Sequence, residues 1–500
     1  MNSSGLSARC LASTTLAGGE RQDDVEEKQD SKKDYSPSGQ YEEALLEENR
    51  DEIIQGSPWS PDSSSPSDSG TDVSSDRASS EDRVLDHQVP YTSCIQEAQL
   101  SPDGTCIFSS DYSRTFSVYP IETDILSETK TRPLKPYAQF NSANPIWAFA
   151  ANPHFNLQDA NSTHVLISRR DSYITLHNAL WDTTRNYDTA TLQPSKPGPV
   201  DISKPLASYK LIDHLTEAVT APLSLAYSHE GTHFFAGKQN GIATFDLEHT
   251  EDPIHSIATI PSKRNKLKGG GRGFKGWISA LSLSPPSTAS HGGLLAAGAR
   301  TRYVGIYDAT SGEEVTHFSL PGTIDGKKVR NENLRHIMGD GVSHLKWSPC
   351  GKYLYVAERQ SDVLLIYDVR NFSLSPGYCA GRKALTKQKL GFDVWNAGAS
   401  PYDIEAISHE IWAGGTDGKM RVWRDPYRKE GPVEADEVVQ VGGEDMPVVS
   451  TLVHSSGSLA VAACGRIEIG EESTSQRPRR GGGLRPRFRE WGSLNILGLG

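Results

Sequence analysis

A four-residue turn signature recurs seven times in residues 84–500, and no other feature constrains the fold as tightly. It reads SPDG at Ser101–Gly104, ANPH at Ala151–His154, SHEG at Ser228–Gly231 and SPPS at Ser284–Ser287. It returns as SPCG at Ser348–Gly351, ASPY at Ala399–Tyr402 and HSSG at His454–Gly457. Successive starts are 50, 77, 56, 64, 51 and 55 residues apart. An alternating run precedes the mark, as in Leu223, Leu225 and Tyr227, or Val342, Leu345 and Trp347. A run rich in small residues follows it (FFAG at 234–237, LLAAGA at 294–299, WAGG at 412–415). A third run then ends in an aromatic: IATFDL at 242–247, YVGIYD at 303–308, VLLIYD at 363–368 and KMRVW at 419–423. Short β-branched and aromatic runs between Gly, Asp and Ser turns read as strands.

Sets of three or four short antiparallel strands, repeated seven times, predict an all-β chain folded as a seven-bladed β-propeller. One blade has two apolar faces and two open edges, and only a ring of blades covers both. The Tyr-Asp ends at 307–308 and 367–368, and Trp423, echo the Trp-Asp dipeptide of WD repeats. Ring closure is expected to recruit Ser493–Leu499 after an insertion, with Val84–Tyr91 as an outer edge strand.

Charge divides the chain. Residues 1–83 carry 19 acidic and 8 basic side chains, and 11 of the 24 residues in Ser57–Ser80 are serine. Such a segment buries too little apolar area to offset an ordering cost of ~1–2 kcal/mol per residue. It is expected to be a disordered acidic arm, solubilising or regulatory, open to phosphorylation; Tyr41–Ile54 has helical spacing suited to a partner. The remaining 84–500 is nearly neutral, with 44 acidic and 43 basic residues. No 18-residue apolar window predicts a membrane span. The six cysteines form no CxxC, and the first residues lack a secretory h-region, so a reducing compartment is expected.

The sequence has no GxSxG, Walker loop or CxxC pair, and GGGRGFKG at 269–276 lacks the Lys-Ser/Thr ending. HEGTH at His229–His233 has the letters of HExxH but falls on the SHEG turn mark between two strand runs, not on the helix that chemistry needs. His214 beside Asp213 reads as a structural histidine. No enzyme activity, cofactor or metal is expected.

The sharpest functional signal is an acid-free window, residues 253–307, holding Lys263, Arg264, Lys266, Lys268, Arg272, Lys275, Arg300 and Arg302. Six of these lie in the insertion 261–276, with Phe274 and Trp277 at its end. Glycine, cations and aromatics together suit a phosphate backbone and stacked bases. A second cluster, Arg477, Arg479, Arg480, Arg485, Arg487 and Arg489, occupies the Arg/Gly-rich insertion 468–490, and a weaker third comprises Arg382, Lys383, Lys387 and Lys389. Three readings of the first cluster stand together: RNA contact, fold-back of the acidic arm, or solvated surface. KRNKLK also has the composition of a nuclear import signal.

The order of segments resembles the WD-repeat family of telomerase Cajal body proteins and their fungal splicing-associated relatives. Leu211–Leu247, Gly276–Asp308, Gly339–Asn371 and the small-residue run Leu459–Ile467 carry the resemblance, which departs at Leu180–Lys204 and in the C-terminal arginine-rich stretch. It implies a nuclear scaffold, shuttling or resident, for small nuclear or Cajal-body RNA and ribonucleoprotein, in RNP biogenesis or splicing; telomerase RNA enters by resemblance alone. The alternative expectation is a monomeric WD-repeat adaptor that binds proteins through its propeller faces without touching RNA.

Overall fold

Period-two alternation, with both sides of nearly every strand apolar, demands sheets covered on both faces. The computed structural model describes residues 6–15, 92–127, 129–181, 198–213, 216–262, 264, 269, 273–287, 290–329, 331–372, 375–396, 408–470 and 487–500. These form seven antiparallel blades around a central channel. From channel to rim, blade 1 is Ile95–Leu100, Cys106–Asp111, Thr115–Pro120 and Ala138–Asn141. Blade 2 is Ile146–Ala151, His164–Arg169, Ile174–Asn178 and Ala207–Tyr209. Blade 3 is Ser224–Tyr227, His233–Lys238, Gly241–Asp246 and His255–Ala258. Blade 4 is Ile278–Leu283, Leu294–Ala299, Tyr303–Asp308 and Glu314–Ser319. Blade 5 is Val342–Trp347, Tyr353–Glu358, Leu364–Asp368 and Gly377–Cys379. Blade 6 is Phe392–Trp395, Glu410–Gly414, Lys419–Arg424 and Glu437–Gln440. Blade 7 is Val448–Val453, Leu459–Gly470, Arg487–Leu499 and, from the other end of the chain, Ala8–Ser13.

Alternate residues of one strand serve opposite neighbours. Leu354 and Val356 face blade 4, while Tyr355 and Ala357 face blade 6. Among the described residues one such apolar cluster fills each of the seven inter-blade gaps. The aromatics that end the third runs, Phe245, Tyr307, Tyr367 and Trp423, are all buried in these gaps.

Six of the seven turn marks join a first strand to a second; ASPY at 399–402 lies outside the described residues. The serine that opens the mark earns its recurrence: its hydroxyl accepts from the first amide of the returning strand in four blades (Cys106, His233, Leu294 and Tyr353). Gly104 closes the first mark at φ +74°, a left-handed conformation, and a Cβ there would strike the His454 ring of blade 7.

Ring closure differs from expectation in one respect. The C-terminal strand completes blade 7 as predicted, but the outer strand is Ala8–Ser13; Val84–Tyr91 lies outside the described residues. Ser7 and Gly500 exchange backbone hydrogen bonds at 3.0 and 3.1 Å, and Leu11 is buried between blades 7 and 1. Residues 1–83 are therefore not wholly an arm. The acidic segment is bracketed by two propeller strands, Ala8–Ser13 and Ile95–Leu100.

Between blades 1 and 2, His177 is fully buried and stacks on Phe140 at 5.0 Å. Its Nδ1 lies 2.9 Å from the Ile202 carbonyl and its Nε2 2.9 Å from the Thr175 hydroxyl. Burial pushes its pKa down to about 4. The unfolded chain then binds a proton that the folded one refuses, so this contribution is intact above about pH 6.5 and fades towards pH 4. The loss should approach about 3 kcal/mol. Urea midpoints at pH 7.5 and 4.5 should fall further for the parent than for His177→Gln; parallel falls would refute the assignment.

Candidate nucleic-acid interface

Four antiparallel strands per blade send their connections alternately to two faces. Second-to-third turns, and the crossings from one blade's rim to the next blade's channel strand, share one face. First-to-second turns and third-to-fourth connections share the other. Among the described residues, the connections of the first face hold 15 basic and 10 acidic side chains; those of the second hold 8 basic and 14 acidic. The described connections thus sum to +5 on the first face, the basic one, and −6 on the second, the acidic one, although Arg302, Arg382 and Lys389 within the first sum are buried or paired with strand carboxylates.

The basic insertion at 261–276 and the Arg/Gly insertion open on this same basic face, because their flanking strands end there. Arg264 is exposed, whereas Lys263, Lys266, Lys268 and Arg272 lie outside the described residues. Lys275 is half-buried, and its carbonyl accepts from the Thr301 hydroxyl in the blade 4 turn. Trp277 is also half-buried, and its backbone bridges to Gln239. Arg300 stands next in that turn, its pKa lowered to about 10 by burial and by the charge of Arg359 at the equivalent position of blade 5. Burial lowers Arg359 as well. Gly341 lies between the two backbones: a Cβ there would come within 2.9 Å of Arg300 Cα, and its carbonyl accepts from the Arg359 amide at 3.0 Å. Lys275, Trp277, Arg300 and Arg359 therefore share one sector of the basic face across blades 3–5.

Two residues expected here point inward instead. Phe274 is fully buried, stacked on Tyr303 at 5.7 Å, and a backbone bond of 2.9 Å to Thr259 pins it into the blade 3–4 cluster. It offers no ring to a base. Arg302 is 3% exposed and forked onto Glu358 of blade 5 at 2.6 and 2.8 Å, with a third bond of 2.7 Å to Thr323. The carboxylate missing from the 253–307 window is supplied by the next blade.

The other clusters also divide. Arg382 is fully buried and bonds the carbonyls of Leu390, Gly391 and Gly414, so it organises the 380–391 crossing. Lys383 and Lys387 are exposed, and Lys389 pairs with Glu97 of blade 1 at 2.9 Å. Arg489 is exposed on a hairpin that extends blade 7 beyond the ring, with Arg487 in its ladder. Arg477, Arg479, Arg480 and Arg485 lie outside the described residues, as does His214.

The central channel encloses about 400 Å³ and is lined by the first strands of all seven blades. Its carboxylates are committed: Glu97 to Lys389, and Asp393 to Lys346 at 2.5 Å and to the Val453 amide. Burial, then the charges of Lys389, Lys346 and Arg382, holds the His344 imidazole well below the usual histidine range.

The sequence reading missed Arg359, because an acid-free window ends before it. Summing charge over alternate connections would have found it.

No protein-family model matches the chain. Curated relatives do. The guanine nucleotide-binding protein negative regulator 1 of Schizosaccharomyces pombe is 25% identical over 340 residues, covering 66% of this chain and 70% of the relative. The human telomerase Cajal body protein 1 is 22% identical over 332 residues, 66% of this chain and 49% of the relative. The Drosophila melanogaster homolog is 22% identical over 333 residues, 65% and 49%. The chain thus spans about half the length of the telomerase Cajal body proteins it matches. The resemblance read from the repeats is found in these relatives.

Proposed function

We propose that the protein is a non-catalytic nuclear scaffold whose basic face holds a small RNA or ribonucleoprotein of the splicing or Cajal-body class. The carrying observation is the segregation of charge between the two faces, with Arg264, Lys275, Arg300 and Arg359 gathered on blades 3–5. A face of net positive charge concentrates a polyanion and steers its approach. The names of the Cajal body relatives support the particle and the nuclear compartment; a telomeric role rests on those names alone. The charge field, rather than any one residue, supplies affinity.

Changing Lys263, Arg264, Lys266, Lys268, Arg272 and Lys275 to glutamine tests this. RNA recovered with the protein should fall to background while the thermal midpoint holds. For a single strand the slope of log affinity against log salt should flatten by about 4 if all six meet phosphates. Undiminished RNA recovery would refute the reading. Partners retained in full after ribonuclease treatment would favour the protein adaptor instead.

A further inference from the structure

The basic face carries a second feature, made of rings rather than charges, on blades 7, 1 and 2. The blade 7 hairpin meets blade 1 where Glu490 accepts from the Ser93 and Ser113 hydroxyls. Ser113 lies in the 112–114 turn, whose Arg114 donates to the Ala143 carbonyl at 2.6 Å. The crossing at 142–145 then bonds the blade 2 turn: the Arg170 amide reaches the Pro145 carbonyl at 2.9 Å. Hairpin, turn, crossing and turn make one continuous ledge.

That ledge presents Trp491, Tyr112, Trp147 and Tyr173. Trp491 and Tyr173 are 36% and 37% exposed, and Trp147 and Tyr112 are half-buried. Trp147 is the extra residue of a bulge at the start of its strand, where Ile146 and Ala148 pair with consecutive residues opposite. None of the four belongs to an inter-blade cluster. Among the described residues no Phe, Tyr or Trp of blades 3–6 is as exposed as Tyr173 or Trp491. Arg114, Arg170 and Arg489 stand among these rings, Arg170 paired with Asp171 at 3.3 Å, and large rings held at a surface with cations beside them fit a ligand with flat faces and negative charge.

From this placement we infer that the ledge of Tyr112, Trp147, Tyr173 and Trp491 stacks the unpaired bases of single-stranded RNA. The inference rests on the basic-face reading and specifies its ligand. Base stacking needs exposed faces, which a duplex hides, so single strands are selected over duplexes.

The test uses the full chain and fluorescence anisotropy with two probes, an oligouridylate of about twelve nucleotides and an RNA duplex of equal length. Tyr173→Ala and Trp491→Ala should each weaken oligouridylate binding about tenfold, leaving its salt slope and the duplex affinity unchanged. Tyr173→Phe and Trp491→Phe should bind like the parent. Thermal midpoints should hold, since both rings sit outside the packed clusters. Alanine variants that bind oligouridylate like the parent would overturn the inference. So would equal losses for strand and duplex, or loss of a protein partner with RNA affinity intact. The basic-face reading would still stand if the six-glutamine variant had lost RNA; it fails separately if the parent binds neither probe.

Discussion

Arg302→Met should destabilise the propeller by about 3–5 kcal/mol, because it strands a buried carboxylate. Glu358 is 3% exposed and, besides Arg302, accepts from the Gly339 amide at 3.1 Å. Removing the guanidinium leaves that charge nearly uncompensated in a low-dielectric gap. Replacing both partners, as Arg302→Met with Glu358→Leu, should recover most of the loss, since the desolvation cost disappears with the charges. The parent, both single variants and the double variant form a cycle readable by urea unfolding. Near-additive losses would contradict the pairing. RNA affinity of the double variant should match the parent, which separates Arg302 from the cations of the face.

Deleting residues 1–15 should have a still larger effect. The strand Ala8–Ser13 covers the outer edge of the C-terminal strand of blade 7, with partners running from Ala8–Leu499 to Ser13–Asn495. Leu11 and Ala12 are 1% and 3% exposed, and the Ser13 hydroxyl donates to Asn495 at 2.6 Å. Leu11→Ala alone should cost about 2–5 kcal/mol. The deletion also removes several backbone hydrogen bonds at roughly 1 kcal/mol each and exposes a pairing edge. A lower thermal midpoint and a rise in aggregation are expected, partly reversed by a synthetic peptide of residues 6–15. A deletion variant that melts like the parent, with Leu11→Ala also unchanged, would show that the ring closes without this strand.

The architecture was legible because its determinants are local. The turn marks, the small-residue second strands and the aromatic ends of the third strands each report on a handful of neighbouring residues. The outer strand of blade 7 was not, because its partner sits nearly five hundred residues away and ARCLAS is a short run at the start of a segment whose composition reads as an acidic arm. The site divides in the same way. Counting charge along the chain located the insertion and Arg300, but could not see Glu358 reaching Arg302 from another blade. Glycines around Phe274 made it look like a loop residue, whereas Tyr303 and Thr259 draw it into the core. Arg359, Trp147 and Tyr173 are dispersed in sequence, and only the alternation of connections between faces assembles them.

The central claim is that the basic face, and not the acidic one, meets RNA. Ultraviolet crosslinking in cells, followed by mass spectrometry of nucleotide-bearing peptides, tests it most directly. The account predicts crosslinks within 259–277 and at the turns around Tyr112, Tyr173 and Trp491, with small nuclear or Cajal-body-type RNAs attached. Crosslinks confined to the acidic-face connections, such as 121–137 or 425–436, or no attached RNA at all, would contradict it.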